Sequence, residues 1–93
     1  MEYDQSVVRE ALTELERARG LALGVALRRA RGELPVRELA ARSGLAEETI
    51  RKIERGGVPT PALFTVAAIT AVLEVPLDDL VRAATATSDT AVA

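Results

Sequence analysis

Apolar residues recur along most of this sequence at spacings of three and four, and alternation with a period of two never persists. The first spacing is typical of helices that bury one face, whereas alternation is typical of strands. Gly, Pro and helix-capping residues interrupt the pattern at several points and divide it into segments. The sequence therefore predicts an all-α chain of five helices, or of six if the first helix breaks near Gly20.

The first predicted helix is the longest, beginning at Asp4 or Ser6 and ending at about Arg31. Gly20 and Gly24 each weaken it by about 1 kcal/mol relative to Ala, so that two shorter helices are the alternative. The other helices lie between Gly and Pro residues of the kind that end or begin helices. They are predicted over residues 35–43, 46–55, 61–73 and 77–84.

The fourth predicted helix is apolar on nearly every side, which is typical of a helix at the centre of a core. Thr60 is its predicted N-cap, and Pro61 is its first residue. The apolar residues of this helix are Leu63, Phe64, Val66, Ala67, Ile69, Val72 and Leu73. Residues 85–93 show no periodicity, and we expect them to form a flexible tail.

The first helix carries two apolar stripes and therefore has two surfaces to pack. One stripe, which we call the N-terminal seam, has the alternating three and four spacing of a coiled coil. The seam consists of Val8, Ala11, Leu15, Ala18 and Ala22, and the spacing continues to Val25. The second stripe, formed by Leu23, Leu27 and Ala30, lies roughly 110° around the helix axis.

Composition narrows the chemistry that this chain can perform. Its 93 residues correspond to one small domain, and they include neither Cys nor His. Disulfides, thiolate nucleophiles, imidazole bases and most zinc sites are therefore excluded. The carboxylates form no inward-facing pair, so we expect no catalytic residue, no metal site and no cofactor.

The apolar runs of the sequence are short. The run at residues 66–69 is far below the ~20 residues that cross a bilayer. We therefore expect no membrane association and a cytoplasmic chain.

Charge is distributed unevenly along the chain. The net charge is −2, but residues 17–55 carry ten basic and five acidic residues between two acidic ends. A basic middle segment of this kind is typical of a protein that turns one face toward a polyanion. The alternative is a solvated helical surface whose charge order has no function.

Two of the predicted helices form a recurring pattern. Residues 38–45 are Glu-Leu-Ala-Ala-Arg-Ser-Gly-Leu, and residues 49–56 are Thr-Ile-Arg-Lys-Ile-Glu-Arg-Gly. Two short helices joined by a turn with Gly44, the second with a basic outer face, are typical of a DNA-binding helix-turn-helix. The spacing resembles the Cro/repressor-type (XRE) helix-turn-helix family, and the resemblance covers residues 23–82.

This resemblance implies a lambda-repressor-like domain of five helices, here with an extended N-terminal helix. It also implies a transcriptional regulator that binds double-stranded DNA as a homodimer and associates with the nucleoid when bound. The corresponding division is an N-terminal extension over residues 1–22, a DNA-binding domain over residues 23–84 and a tail over residues 85–93.

The third predicted helix, over residues 46–55, is the candidate recognition helix. With Ile50 and Ile53 inward, its outward residues at about 100° per residue are Glu48, Arg51, Lys52 and Arg55. Arg and Lys donate to guanine and Glu accepts from cytosine in the major groove. We therefore assign base contacts to Glu48, Arg51 and Lys52, to which the resemblance adds Glu47. Phosphate contacts are assigned to Arg37, Arg55 and Thr60.

Three alternatives stay open at this stage. Arg29 or Arg31 either contacts DNA or pairs with Glu54, which the resemblance indicates as a structural partner. The N-terminal seam either pairs with the same seam of a second copy or folds back on its own domain. Because Val36 and Ala46 stand where the family has polar residues, the chain is alternatively a protein-binding module, such as an antitoxin or regulatory subunit, with weak or no DNA binding.

Overall fold

The computed structural model describes the backbone of residues 5–92 and the side chains of residues 14–86. The described residues form five helices and no strand, so the predicted all-α class is confirmed. The helices are α1 (Gln5–Arg31), α2 (Val36–Ser43), α3 (Glu47–Glu54), α4 (Leu63–Leu73) and α5 (Leu77–Val92). Asp4 and the other residues before Gln5 lie outside the described part.

The core takes at least one side chain from every helix. Fully buried are Leu27 of α1, Leu39 of α2, Ile50 and Ile53 of α3, and Ile69 of α4, and Leu80 of α5 is 4% exposed. α1 packs most extensively against α5 and also contacts α3, while α2 packs on α3 and α4. Of the second apolar stripe of α1, Leu27 is fully buried and Leu23 packs against the buried cluster.

α1 continues without a break through both of its glycines, so the alternative of six helices is wrong. The glycines instead allow the backbone of α1 to approach its neighbours. A Cβ atom at Gly20 would lie 2.8 Å from Cα of Pro59, and one at Gly24 would lie 2.7 Å from the carbonyl oxygen of Ile53. A long helix is retained here because tertiary packing outweighs the low helix propensity of Gly.

α4 begins two residues later than the sequence predicts, with Ala62 rather than Thr60 as its N-cap. The interpretation of this helix as the centre of the core does not extend to its first residues, because Leu63 is 59% exposed and Phe64 82% exposed. The buried residues of α4 begin with its fourth residue and are Val66, Ile69 and Thr70.

α5 ends at Val92, whereas the sequence predicts an end at Ala84 followed by a tail without regular structure. The segment after Pro76 contains neither Gly nor Pro, so nothing in it terminates a helix. The described part of the chain has no helix that is both long enough and apolar enough to cross a lipid bilayer.

Candidate nucleic-acid interface

The turn between α2 and α3 is built on Gly44. This residue has φ 77°, and its backbone N–H donates to the carbonyl of Ala40 at 2.9 Å. Leu45 donates to the same carbonyl at 3.2 Å, so two amides satisfy the end of α2 before the chain reverses. Gly adopts this left-handed conformation without steric cost, which explains why the turn is so short. Residues 44–46 therefore suffice to redirect the chain from α2 into α3.

One side of α3 is fixed in the core, and the other side faces solvent. Ile50 and Ile53 are 0% and 1% exposed, which confirms the predicted inward side of this helix. The outward residues are all exposed, and we call them together the recognition face. The recognition face consists of Glu47, Glu48, Arg51 and Lys52 on α3, and of Arg55 at its C-cap. The candidate base contacts therefore lie on one accessible surface.

Carboxylates of the recognition face pair with its arginines. Nη2 of Arg55 donates to Oε1 of Glu48 at 2.9 Å, and Nη1 of Arg51 lies 3.3 Å from Oε1 of Glu47. The hydrogen bond from Arg55 and its positive charge lower the pKa of Glu48 below its ordinary value. Sequence reasoning missed these pairs, although the i, i+4 spacing of Glu47 and Arg51 is favourable for an ion pair on a helix.

Lys52 differs from the two arginines of this face. Among the described residues it forms no ion pair. Its side-chain stem lies against the turn after α3, where a Cβ atom at Gly57 would be 3.2 Å from Cγ of Lys52. The ammonium group is thus carried on a partly supported stem and has no competing carboxylate partner in the described part of the chain.

Arg31 belongs to the structural framework. Its Nε and Nη2 atoms donate to the two carboxylate oxygens of Glu54 at 2.6 and 2.9 Å, and its Nη1 donates to the carbonyl of Leu34 at 2.8 Å. The side chains of this pair are only 15% and 9% exposed. The hydrogen bonds to Glu54 raise the pKa of Arg31. Of the two arginines considered, Arg31 and not Arg29 is therefore the partner of Glu54.

The other candidate phosphate contacts lie outside α3. Arg37 is exposed in the first turn of α2, and in the described part of the chain it forms no ion pair. Thr60 is exposed in the loop before α4 and does not cap that helix. The assignment of Thr60 therefore loses the support that helix-terminal amides would have given, whereas the guanidinium of Arg37 has no ion-pair partner among the residues that the structure describes.

The N-terminal seam is partly covered by the chain itself. Leu15, Ala18 and Ala22 are half-buried, and the side chains of Val8 and Ala11 lie outside the described part. On the neighbouring surface of α1, Leu21 is 52% exposed and Val25 is 50% exposed. An apolar strip of α1 thus remains in contact with solvent.

Comparison with known proteins matches this geometry. A family model described as Helix-turn-helix matches residues 25–80, which is more than half of the chain and includes α2, α3 and the turn between them. A protein of Bacillus subtilis (strain 168), the uncharacterized HTH-type transcriptional regulator RghRB, is 48% identical over 58 residues. The aligned region covers 62% of this chain but only 41% of the relative. The chain therefore corresponds to less than half of the relative's length.

Proposed function

Because this chain belongs to the helix-turn-helix family of the Cro/repressor (XRE) type of DNA-binding proteins, we propose that it is a sequence-specific transcriptional regulator with α3 in the major groove. The observation that carries the proposal is the recognition face. It presents three cations and two carboxylates on the exposed side of a helix whose opposite side is buried. The B. subtilis relative, which its name describes as a transcriptional regulator, supports the same assignment.

Each proposed contact follows from the chemistry of the groove. An α-helix fits the major groove of B-DNA, where Arg51 and Lys52 donate to guanine O6 and N7. Glu47 and Glu48 accept from the N4 amino group of cytosine. Arg37, Arg55 and Thr60 contact phosphates, which fix the position of the domain on the duplex without selecting its sequence.

The proposed regulator binds as a homodimer. Recognition helices of such dimers enter successive major grooves about 34 Å apart, so that two half-sites double the sequence that is recognised. We assign dimer contact to the N-terminal seam, because Ala18 and Ala22 are half-buried beside the exposed Leu21 and Val25. Apolar burial contributes about 25 cal/mol per Å², so a seam rich in Ala gives a weak dimer that DNA reinforces.

A DNA-binding titration tests the proposed function. We expect the full chain to bind duplex fragments at about 50 mM salt, with log affinity falling against log salt by about 0.9 per phosphate contact. The double substitution Arg51→Glu with Lys52→Glu should abolish binding while circular dichroism stays unchanged. Arg17→Glu with Arg82→Glu is the matched control, because it makes the same charge change at exposed positions outside α2 and α3. Binding retained by the first variant would contradict the proposed face.

Sedimentation velocity of the full chain tests the dimer. The wild-type chain should approach the mass of a dimer as its concentration rises, and Ala18→Glu should shift it to the monomer. The control is Ala41→Glu, which places the same charge on the exposed surface of α2. A wild-type chain that stays monomeric, both alone and on DNA, would refute the dimer.

A protein-binding module on the same fold is the second candidate function. The observation in its favour is that Arg51 and Arg55 are already paired with carboxylates of their own chain. An antitoxin or regulatory subunit of this kind would bind DNA weakly or not at all. Undetectable binding of mixed genomic fragments at about 50 mM salt would favour it over the regulator.

A further inference from the structure

The pair between Glu48 and Arg55 connects the two ends of the recognition helix. Glu48 lies in the first turn of α3 and Arg55 at its C-cap, and their side chains meet at 2.9 Å along the outer surface of the helix. If α3 enters the major groove, both groups lie beside DNA. On the premise of the proposed function, we propose that Glu48 is a specificity-determining residue that keeps Arg55 from phosphates until a base donates to its carboxylate.

The ion pair between Glu48 and Arg55 is weak enough for Arg55 to exchange the carboxylate for a phosphate. Glu48 and Arg55 are 70% and 60% exposed, so no packing holds them together. Exposed ion pairs of this kind are worth about 0–1 kcal/mol. The carboxylate of Glu48 is ionised at neutral pH like that of any exposed glutamate, and the hydrogen bond from Arg55 lowers its pKa further, so it accepts hydrogen bonds and donates none. In the free protein, water can replace Arg55 at small cost, whereas in the major groove, where the helix displaces water, a donor from the DNA must replace it.

On DNA of arbitrary sequence, no such donor is guaranteed. When Arg55 moves to a phosphate, the charge of Glu48 is left beside the polyanion and is repelled by it. A cytosine at the right position supplies an N4 amino group in the major groove and satisfies the carboxylate. The electrostatic penalty on Glu48 is therefore relieved on sequences with a cytosine at this position and remains on all others. A weak repulsive contact of this kind increases specificity.

Glu47 is less suited to this role. Its oxygen lies 3.3 Å from Arg51, whereas the oxygen of Glu48 lies 2.9 Å from Arg55 and accepts a hydrogen bond from it. The longer pair leaves Arg51 freer to reach a base. Lys52 forms no ion pair among the described residues, so it does not have to leave a carboxylate before it contacts DNA. Of the described carboxylates, Glu48 is therefore the one that restrains a phosphate-binding cation.

The test compares binding of two DNA probes by the full chain and its variants. One probe is the duplex that the wild-type chain enriches from a library with a randomised core, and the other is mixed-sequence duplex of the same length. Glu48→Gln should raise affinity for the mixed-sequence probe about two- to fivefold, and it should lower the ratio between the probes correspondingly. In the duplexes that Glu48→Gln enriches, one cytosine preference of the wild-type chain should be lost.

Asp78→Asn is a closely matched control. Asp78 pairs with Arg82 on α5, also at 2.9 Å, and the two side chains are 68% and 76% exposed. The substitution removes the same charge and the same kind of exposed pair outside α3, and it should leave the ratio between the probes unchanged. A ratio that Glu48→Gln leaves equal to that of the wild-type chain would overturn the inference.

The Arg55→Gln variant distinguishes restraint of Arg55 by Glu48 from simple repulsion between Glu48 and the DNA phosphates. With Arg55 removed, Glu48→Gln has no cation to release and should raise mixed-sequence affinity less than it does in the wild-type chain. An equal rise in both backgrounds would refute the restraint. If the proposed function itself is wrong, the outcome is different, because the wild-type chain then binds neither probe and enriches no duplex.

Discussion

At the scale of single residues, two arginines make pairs of similar length in very different surroundings. Arg31 bonds both oxygens of Glu54 with side chains 15% and 9% exposed, whereas Arg82 meets Asp78 at 2.9 Å with side chains 76% and 68% exposed. Water screens the second pair and can replace either partner. Water reaches the first pair much less, and there a lost partner leaves a partly buried charge unpaired.

We therefore expect Arg31→Ala to lower the free energy of unfolding by about 2–4 kcal/mol, because the carboxylate of Glu54 loses its partner. Arg82→Ala should change it by no more than about 0.5 kcal/mol. Urea denaturation of the two variants and the wild-type chain measures both values. Equal effects would mean that Arg31 is not a structural residue, and it would become a candidate for DNA contact again.

At the scale of helices, the sequence predicts best where the pattern is local. Gly44 and the spacing of Ile50 and Ile53 define the turn and the orientation of α3, because these features depend on backbone preference and helical period alone. The start of α4 and the exposure of Phe64 are not local. An apolar residue is buried only where another element covers it, and the sequence of α4 does not contain that information.

The same limit applies to the recognition face. Periodicity predicts that Arg51, Lys52 and Arg55 point outward, and all three are exposed. Which of them is paired depends on side-chain conformations that the period does not specify. The helical period assigns Glu48 to a base and the family resemblance adds Glu47, but neither predicts that these carboxylates pair with Arg55 and Arg51.

Gly24 gives a test of packing between helices. Replacing Gly by Ala inside a helix usually stabilises it by about 1 kcal/mol. Here the new Cβ would lie 2.7 Å from the carbonyl oxygen of Ile53, so α1 and α3 must separate. We expect Gly24→Ala to lower the melting temperature, and Val25→Ala on the exposed side of α1 to leave it nearly unchanged. A higher melting temperature for Gly24→Ala would show that close contact of α1 with α3 is not required.

At the scale of the whole molecule, net charge is a poor guide to the partner. The chain carries −2, yet its middle segment is basic and contains the recognition face. Several of its cations are already neutralised, since Arg31, Arg42, Arg51 and Arg55 each pair with a carboxylate. We therefore expect the number of phosphates contacted in the proposed DNA complex to be smaller than the number of basic residues.

The slope of log affinity against log salt measures how many phosphates are contacted in the proposed complex. Arg37 is exposed and forms no ion pair among the described residues, so in the proposed complex it can contact a phosphate without first leaving a carboxylate. Arg37→Ala should reduce the slope of log affinity against log salt by about 0.9 for each bound domain, hence by roughly twice that for a dimer. The affinity should fall about equally for all sequences, because a phosphate contact carries no base preference.

Arg17→Ala is the control for this measurement, since it removes an exposed arginine from α1. If both variants lower the slope equally, the effect comes from net charge and Arg37 makes no defined contact. A reduction near 0.9 confined to Arg37→Ala indicates one domain on the duplex, and one near 1.8 indicates two. Because phosphate contacts form on a duplex of any sequence, the same titration tests the contact of Arg37 and counts the domains that bind together even on mixed-sequence DNA.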